Sequence, residues 1–556
     1  MTRAPGGQWS KLAWPTAFAA SGVVIFLLYL LQSTRTTYIN SDGASNALQA
    51  WAMLHGNVLL HGWALSDVSF YTTELPQYVL VEAVKGLGPD VVHICGAMTY
   101  TLLVLLAAWL AARRQASGRA KIIAIAITAT CMLAPELSSP TGLLLLSPDH
   151  VGTGVPLLVA WLLVDRGSGW TSAQGRFSAG WHRWLVPVAV GLILAWTAVG
   201  DQLAEVIGAL PLALTCGIRV LWAKARRRVP LRDCWYELSL AAAAIVSVPL
   251  ASLGVKLIGA LGGWTYTAPR SGLAAAGVLG RNAALTGDGL LQLFGAYFTS
   301  QMTATETVFA VIHLAGLALA ALGLCLAVRR FLTQDLIIQV LVTAIFVNIA
   351  AYLFTVQAED LATTREIASV LPFGAVLAGR LLAAWITAPA RAPAGKRAGK
   401  GARMGAGKVT LQFTVVALLA CYAVMLGYDA SQPRAPSQIA SLATWLADHG
   451  LTRGLGGYWQ SNSVTLDTSD DVQVRAIDIN AGNLTTGAYW EASSAWYDPR
   501  SAYADFIVNA QPNWHPSGLG VLVSKMETLA GKPVRIYHVG GYTIAVWRQN
   551  LLTEFG

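Results

Sequence analysis

The chain contains few charged residues for its length. Of its 556 residues only 12% are charged, 55% are hydrophobic, and the mean hydropathy is +0.52. A soluble globular chain carries about a quarter charged residues. Several nearly uncharged stretches reach the length of about 18 residues that a helix needs to cross a bilayer. The composition therefore excludes an ordinary soluble fold and predicts an integral membrane protein.

Cysteine is also scarce, with six residues in the whole chain. They lie in or beside the predicted spans, and none lies in the tail after residue 428. Their spacing matches neither a disulfide framework nor a zinc motif. The sequence therefore predicts no disulfide-stabilised domain and no cysteine-based metal site.

The net charge of +9 is concentrated in short loops between apolar spans, near 113–121, 224–232 and 391–408. This distribution is typical of cytoplasmic loops under the positive-inside rule, and it argues against a nucleic-acid-binding surface. The Ala/Gly/Lys-rich segment 389–408 is best interpreted as a plain cytoplasmic linker. Contact with anionic membrane lipids is the alternative.

The predicted architecture is a polytopic α-helical membrane protein of about eleven transmembrane helices with a cytoplasmic N-terminus. The first span lacks a small-residue cleavage site, so it is predicted to be a retained helix. The predicted spans are 12–32, 91–112, 121–137, 151–165, 185–200, 203–222, 236–258, 305–328, 335–355, 367–386 and 410–428. Span parity then places the tail outside, in a multi-pass protein of the cell membrane.

Residues 1–428 form the predicted transmembrane region, with a basic cytoplasmic loop at 387–409. Its two long outer loops, 33–90 and 259–304, have the amphipathic character of interfacial helices. The tail 429–556 has strand-like runs at 472–479 and 505–510, and two further runs joined by Gly540-Gly541. This pattern predicts an extracytoplasmic α/β domain with a C-terminal hairpin.

Asp42 follows the first span by about ten residues, in the stretch SDGASNALQAWAMLHGN. A carboxylate at a membrane surface, partly enclosed by interfacial helices, can act as a general base. Local sequence alone favours a plainer role, in which Ser41 or Asp42 caps a helix starting near Ala44. The stretch FYTTELPQY, which contains Glu74, then leads toward the second span.

Together these two stretches resemble the first outer loop of GT-C glycosyltransferases, related in pattern to mannosyl- and arabinosyltransferases. The resemblance covers the first ~110 residues at motif level and the rest as architecture. It implies a GT-C-like fold, a polyprenyl-phosphate-linked sugar donor and Asp42 as the base. The chain departs from the family's paired acids, with Gly43 after Asp42, and from its Lys-Pro-Pro variant, with Glu74-Leu75-Pro76.

Asp149 and His150, in LLLLSPDHVGTG, fall on the outer side of the predicted topology. An acid-imidazole pair can bind sugar hydroxyls, assist the base or ligate a metal. The resemblance also implies an acid from the second outer loop. The alternative is a Pro-Asp turn that caps the next helix, and both interpretations stay open. Glu136 is a weaker candidate for the same role.

Arg365 stands at the outer start of the tenth predicted span, where a guanidinium can grip a lipid-linked phosphate. A snorkelling side chain is the alternative. Further substrate-binding candidates are Lys256, Arg270 and Glu74, with Arg281 as another cation for a phosphate. In the tail, Trp459, Trp490 and Trp496 could stack on sugars, although a role in the domain core is favoured.

The predicted function is transfer of a sugar from a polyprenyl-phosphate donor to a glycan, lipid or protein acceptor. Asp42 would be the base of an inverting reaction. A divalent cation (Mg²⁺, Mn²⁺ or Ca²⁺) is a candidate cofactor, with Asp42, Asp149 and His150 as candidate ligands. Two alternatives are a flippase for lipid-linked glycans and a non-catalytic partner in cell-envelope assembly.

Overall fold

The computed structural model describes most of the chain, with gaps. It covers residues 9–135, 143–173, 182–267, 271–388, 406–434, 437, 439–480, 483–486, 490–510 and 523–554. Three sequence predictions fall outside these residues: Arg270, Glu136 and nearly all of the basic linker 389–408.

Long helices dominate the first three quarters of the described chain. In chain order the helices are α1 (Trp9–Thr36), α2 (Ser41–Leu54), α3 (Leu75–Lys85), α4 (Asp90–Ala112), α5 (Gly118–Met132), α6 (Gly154–Ala173), α7 (His182–Gly200), α8 (Leu210–Arg227), α9 (Trp235–Ala260), α10 (Leu279–Leu293), α11 (Ala304–Arg329), α12 (Leu336–Phe354), α13 (Val370–Thr387), α14 (Ala406–Ser431), α15 (Ala440–Asp448), α16 (Tyr458–Asp467) and α17 (Val523–Ala530).

Eight helical segments of the described residues are long and apolar enough to span a membrane, which makes this a multi-pass membrane protein. Every one of the eleven predicted spans overlaps a helix, but the count of eleven is not confirmed. Helix α5 has only 15 residues, and the apolar part of α7 is the short segment Trp184–Gly200. A helix needs about 20 residues to cross the hydrocarbon core untilted.

Helix α13 is the centre of the bundle and packs against α4, α5 and α11. Glycines allow this close packing. A Cβ on Gly323 would lie 2.6 Å from the backbone nitrogen of Ala378, and one on Gly379 would lie 2.7 Å from the carbonyl oxygen of Ala124. Small residues let neighbouring helix backbones approach in this way, which is the usual basis of helix association in lipid.

A buried ion cluster closes one end of the bundle. The carboxylate of Asp165 on α6 is paired with Arg113 at 2.9 Å, Arg114 at 3.0 Å and Arg380 at 2.6 Å. A buried carboxylate is tolerated only when paired and hydrogen-bonded, as it is here. We call this the arginine end; it carries the predicted basic loop near 113–121.

The other end of the bundle, which we call the domain face, carries the C-terminal domain. A three-stranded sheet ties three distant segments together there, in the order β2-β1-β6. Its strands are β1 (Trp63–Leu65), β2 (Thr265–Tyr266) and β6 (Ala492–Ser493). These strands come from the two predicted outer loops and from the tail, so the small sheet fixes the domain against the bundle.

The C-terminal domain is built on a six-stranded mixed sheet in the order β5-β4-β3-β7-β9-β8. The strands are β3 (Arg453–Gly456), β4 (Gln473–Asn480), β5 (Asn483–Thr486), β7 (Phe506–Ala510), β8 (Arg535–Val539) and β9 (Tyr542–Val546). Alternate residues of β7 enter cores on opposite faces, with Phe506 and Val508 on one face and Ile507 on the other. The predicted α/β domain and its C-terminal hairpin at Gly540-Gly541 are both present.

Candidate functional site

Asp42 lies in the first turn of α2, and neither predicted cap residue caps that helix. The helix begins at Ser41, and Asn40 is the N-cap, because its Oδ1 accepts a hydrogen bond from the Gly43 backbone N–H at 2.9 Å. Asparagine is among the best N-cap residues. The capping hypothesis for Ser41 or Asp42 is therefore wrong, and the Asp42 carboxylate is available for other contacts.

Gly43 explains why a single acid stands where the GT-C pattern often has two. A Cβ at this position would lie 2.7 Å from the carbonyl oxygen of Ser147 and 2.9 Å from Val92. Only glycine lets α2 pack directly against the segment that precedes Asp149. A second acid at this position would push the two segments apart.

Asp149 is buried at this junction, with 1% of its surface exposed. Its backbone N–H donates to Glu74 Oε1 at 2.9 Å, and its Oδ1 accepts from the His150 N–H at 2.6 Å. Within the described residues, Oδ2 has no hydrogen-bond partner. Burial raises the pKa of Asp149 to about 6, although Arg365 and His150 act in the opposite direction. The segment therefore contains a buried carboxylate oxygen whose hydrogen-bonding capacity is unused among the described residues.

Glu74 lies beneath this segment and is also buried. Burial raises the pKa of its carboxyl well above the usual range. Because its Oε1 holds the Asp149 backbone, the structure places Glu74 as a support for the Asp149 segment.

His150 lies between two acids. Its Nδ1 is 2.8 Å from Asp201 Oδ2, and its Nε2 is 3.4 Å from Glu366 Oε1. Burial alone would lower the pKa of His150, but the two carboxylates outweigh it and raise that pKa well above the usual range. Burial alone would raise the pKa of Asp201, yet the His150 charge and three hydrogen bonds hold it below its usual range. The pair is therefore an imidazolium facing a carboxylate.

Asp201→Asn is expected to destabilise the protein by about 3–5 kcal/mol, because it leaves a buried ion pair without one partner. Because the pKa of His150 is raised in the folded protein, its contribution to the free energy of unfolding is fully present below the unfolded pKa of about 6.5. That contribution is lost as pH rises through the folded pKa. Because the pKa of Asp201 is lowered in the folded protein, its contribution to the free energy of unfolding is fully present above the unfolded pKa of about 3.9 and is lost as pH falls through the folded pKa. The difference in Tm between wild type and variant should thus be greatest between about pH 4 and pH 6.5 and narrow at alkaline pH.

Glu237→Gln supplies the control, because Glu237 forms a half-exposed pair with Arg219 at 3.3 Å. Such a pair contributes about 1 kcal/mol or less. Thermal unfolding of both variants in detergent across pH makes the comparison. A Tm difference for Asp201→Asn that stays constant with pH would show that the His150 pair is not charged.

Arg365 lies half-buried in the helical turn between α12 and α13. Its electrostatic neighbours are the carboxylates of Asp149, Asp42, Glu366 and Asp67. Within the described chain, its guanidinium forms no hydrogen bond and no ion pair. The structure therefore brings Arg365, Asp42 and Asp149 together and leaves the guanidinium open to an anionic ligand.

The C-terminal domain adds two residues to this cluster. The Tyr458 hydroxyl, at the start of α16, contacts Asp42 Oδ1 and lies 2.5 Å from Glu491 Oε2. Glu491 directly precedes β6 and is buried. Helix α2 is held to the domain by the Ser41 hydroxyl, which donates to the Tyr458 carbonyl at 2.6 Å.

A cavity of about 300 Å³ opens beside the His150 pair, next to the ends of α7 and α12. Its charged and polar lining includes Asp67, His150, Asp201, Tyr352 and Glu366. Carboxylate and hydroxyl groups of this kind suit the hydroxyls of a sugar. Glu366 lines the cavity and is preceded in the chain by Arg365, so the cavity and Arg365 offer neighbouring places for a sugar and an anion.

The predicted trio of metal ligands does not fit a metal ion. In the described chain no group of three or more His, Cys, Asp or Glu side chains is placed to hold one. Both ring nitrogens of His150 already face carboxylates, so the ring offers no lone pair to a metal.

Two other predicted cations stand apart from the cluster. Lys256 is exposed on α9 and, among the described residues, makes no hydrogen bond or ion pair to the cluster around Asp42. The Arg281 guanidinium donates to the Ala358 carbonyl at 2.8 Å. Lys256 lies one turn before the end of α9 at Ala260, so its long side chain can reach the headgroup region while its methylene groups stay in lipid.

Sequence reasoning missed Asp67, Glu366, Tyr458 and Glu491. Glu366 directly follows Arg365, so its carboxylate could have been recognised in the sequence as a candidate site residue. Tyr458 and Glu491 adjoin Trp459 and Trp490, two of the tryptophans considered as sugar-stacking residues. A phenol or an acid beside such a tryptophan was the available signal.

The arrangement of helices and C-terminal domain is that of a membrane protein with the GT-C fold, as predicted from the first outer loop. No protein-family model matches the sequence, and no curated protein matches it either. The fold is therefore established by solved structures alone.

Two similar structures come from GT-C glycosyltransferases. ArnT from Cupriavidus metallidurans, bound to undecaprenyl phosphate, is 12% identical with a TM-score of 0.51, over 96% of this chain and 98% of its own. The oligosaccharyltransferase AglB from Archaeoglobus fulgidus, in complex with an inhibitory peptide and a dolichol-phosphate, is 12% identical with a TM-score of 0.50. That match covers 90% of this chain and 70% of AglB.

Proposed function

We propose that this protein transfers a sugar from a polyprenyl-phosphate-linked donor to an acceptor hydroxyl, with Asp42 as general base. The observation that carries the proposal is the cluster at the domain face. There Asp42, an available carboxylate, and Arg365, whose guanidinium is unpaired among the described residues, are electrostatic neighbours in a chain with the GT-C fold. These are the two groups that a single displacement at a glycosyl phosphate requires.

In the proposed reaction, Asp42 takes the proton of the acceptor hydroxyl as its oxygen attacks the anomeric carbon. The bond between that carbon and the phosphate oxygen breaks, and its electron pair leaves with the lipid phosphate. Arg365 stabilises the charge that develops on the departing phosphate. A single displacement of this kind inverts the anomeric configuration. No step uses a metal ion, because the described residues do not fit one.

The donor class is supported by the ligands of the similar structures. ArnT was crystallised with undecaprenyl phosphate and AglB with a dolichol-phosphate. A donor with a long prenyl tail must remain in the bilayer while its phosphate reaches the surface. The position of Arg365 at the end of an apolar segment suits that requirement. The acceptor is a glycan, lipid or protein hydroxyl.

The proposed orientation puts the domain face outside and the N-terminus in the cytoplasm of a cell-membrane protein. It is supported by the arginine end, where Arg113 and Arg114 lie in the short loop after α4. Basic residues of short loops stay in the cytoplasm. The sugar would then be transferred on the extracytoplasmic side.

Purified protein in liposomes with a radiolabelled polyprenyl-phosphate sugar and a candidate acceptor tests the proposal. Labelled product, with stoichiometric release of polyprenyl phosphate, is the expected result. The flippase alternative predicts movement of intact donor between leaflets without bond cleavage. Translocation without release would therefore replace the proposed function.

A further inference from the structure

One hydroxyl group lies between two carboxyl groups at the junction of the bundle and the C-terminal domain. The Tyr458 phenol oxygen contacts Asp42 on one side and Glu491 on the other. Tyr458 and Glu491 are both buried, whereas Asp42 is half-exposed. The three groups form a continuous chain from the candidate base into the domain.

A count of protons limits how this chain can be bonded. A neutral phenol has one O–H and donates it to one acceptor. If both carboxyls were ionised, one of them would face the phenol oxygen with no hydrogen between the two atoms. One carboxyl must therefore carry a proton and donate it to the phenol oxygen. The chain then holds two protons, and one carboxylate remains ionised.

The surroundings of the two acids place that proton on Glu491. Burial raises the pKa of Glu491 well above its usual range, and the nearby charges of Asp42 and Asp67 act in the same direction, against the opposing hydrogen bonds of Tyr458 and Ser66. Asp42 has Arg365 as an electrostatic neighbour, and the Asn40 side-chain amide donates to its Oδ2 at 3.4 Å. Tyr38 is a further titratable neighbour of Asp42.

The backbone at Glu491 is fixed in an unfavourable conformation by hydrogen bonds. Glu491 has a φ of 46°, a left-handed conformation that costs energy for a residue with a side chain. Its carbonyl accepts hydrogen bonds from Ser45 at 3.2 Å and from Asn462 at 3.3 Å. Contacts from both the bundle and the domain thus fix an unfavourable backbone that aims the carboxyl at Tyr458.

We propose that Glu491, in its protonated form, and Tyr458 are positioning residues that hold Asp42 as the ionised member of the chain. Glu491 donates its O–H to the Tyr458 oxygen, and Tyr458 donates its own to Asp42 Oδ1. Oδ2 of Asp42 is left to receive the proton of the acceptor. The inference rests on the proposed function for that last step only, and it gives the C-terminal domain a direct part in the site.

Glu491→Gln and Tyr458→Phe differ in the size of their expected effects. The amide of Glu491→Gln mimics the protonated carboxyl and still donates to Tyr458, so the loss in kcat is expected to be smaller than the loss in Tyr458→Phe. Tyr458→Phe removes a hydrogen bond to a charged group, and kcat is expected to fall by about 10- to 100-fold. The acid limb of its pH profile should move to higher pH, because a carboxylate that loses a donor is protonated more readily.

Tyr503→Phe is the matched control, since Tyr503 is an exposed tyrosine of the same domain. It is expected to leave both kcat and the pH profile unchanged. Loss of transfer in Glu491→Gln, with activity kept in Asp42→Asn, would overturn the inference by making Glu491 the ionised member.

An infrared difference spectrum tests the inference without any transfer assay, and without relying on Tyr458→Phe folding. Wild type at neutral pH is expected to show the carbonyl stretch of a protonated carboxyl that Glu491→Gln lacks. Absence of that difference would overturn the inference. If the signal is present and no sugar is transferred, the proposed function fails and the protonation of Glu491 stands.

Discussion

Asp42→Asn is expected to lower kcat for sugar transfer by about 10²- to 10⁴-fold, the usual contribution of a general base. The amide has the shape of the carboxylate but cannot take the acceptor proton. Folding should persist, because Asn40 caps α2 and the amide oxygen can still accept a hydrogen bond from Tyr458. Single-turnover transfer from a labelled donor measures the effect separately from product release.

Asp90→Asn is the matched control on the same face. Asp90 forms exposed ion pairs with Lys85 at 2.6 Å and Arg434 at 3.0 Å, remote in role from the cluster. Exposed pairs contribute about 1 kcal/mol or less, so transfer should be unchanged. Wild-type kcat in Asp42→Asn would show that another group removes the acceptor proton.

Arg365→Ala is expected to lower kcat/KM by about 10- to 100-fold, since a hydrogen bond to a charged phosphate contributes roughly 1.5–3 kcal/mol. Among the described residues the guanidinium forms no hydrogen bond and no ion pair. Its removal therefore breaks no hydrogen bond to a buried acid. Because it stabilises the departing charge, kcat should fall together with kcat/KM. Arg365→Lys should keep the charge and lose the bidentate geometry, giving an intermediate rate.

Arg500→Ala is the control expected to have no effect, because Arg500 is exposed on the domain and pairs with its neighbour Asp498 at 3.0 Å. Arg281→Ala tests the competing assignment of the phosphate partner. A large loss in Arg281→Ala with normal kinetics in Arg365→Ala would transfer the role to Arg281.

Much of the architecture could be predicted because it follows from local composition. Apolar length gave the spans, and Gly540-Gly541 between two β-rich runs gave the hairpin. Loops separated by an even number of spans return to the same end of a bundle. Asp42, Asp149 and Arg365 could therefore be expected on one face, and the structure makes them neighbours.

The rest depends on contacts that a linear pattern does not encode. Tyr458 meets Asp42 across 416 positions of the chain, so neither residue signals the other. Asn40 lies one residue before the motif that drew attention, and it takes the capping role assigned to its neighbours. Glu74, two residues before Pro76, is predicted to bind substrate, but its burial under the Asp149 segment depends on tertiary packing.

The location of a bound polyprenyl phosphate tests the central claim most directly. A structure of the full chain in nanodiscs with this lipid is the measurement. The phosphate is expected within hydrogen-bond distance of the Arg365 guanidinium at the domain face, with Asp42 beside it. A phosphate held instead at the arginine end, with the domain-face cluster empty, would contradict the proposed site.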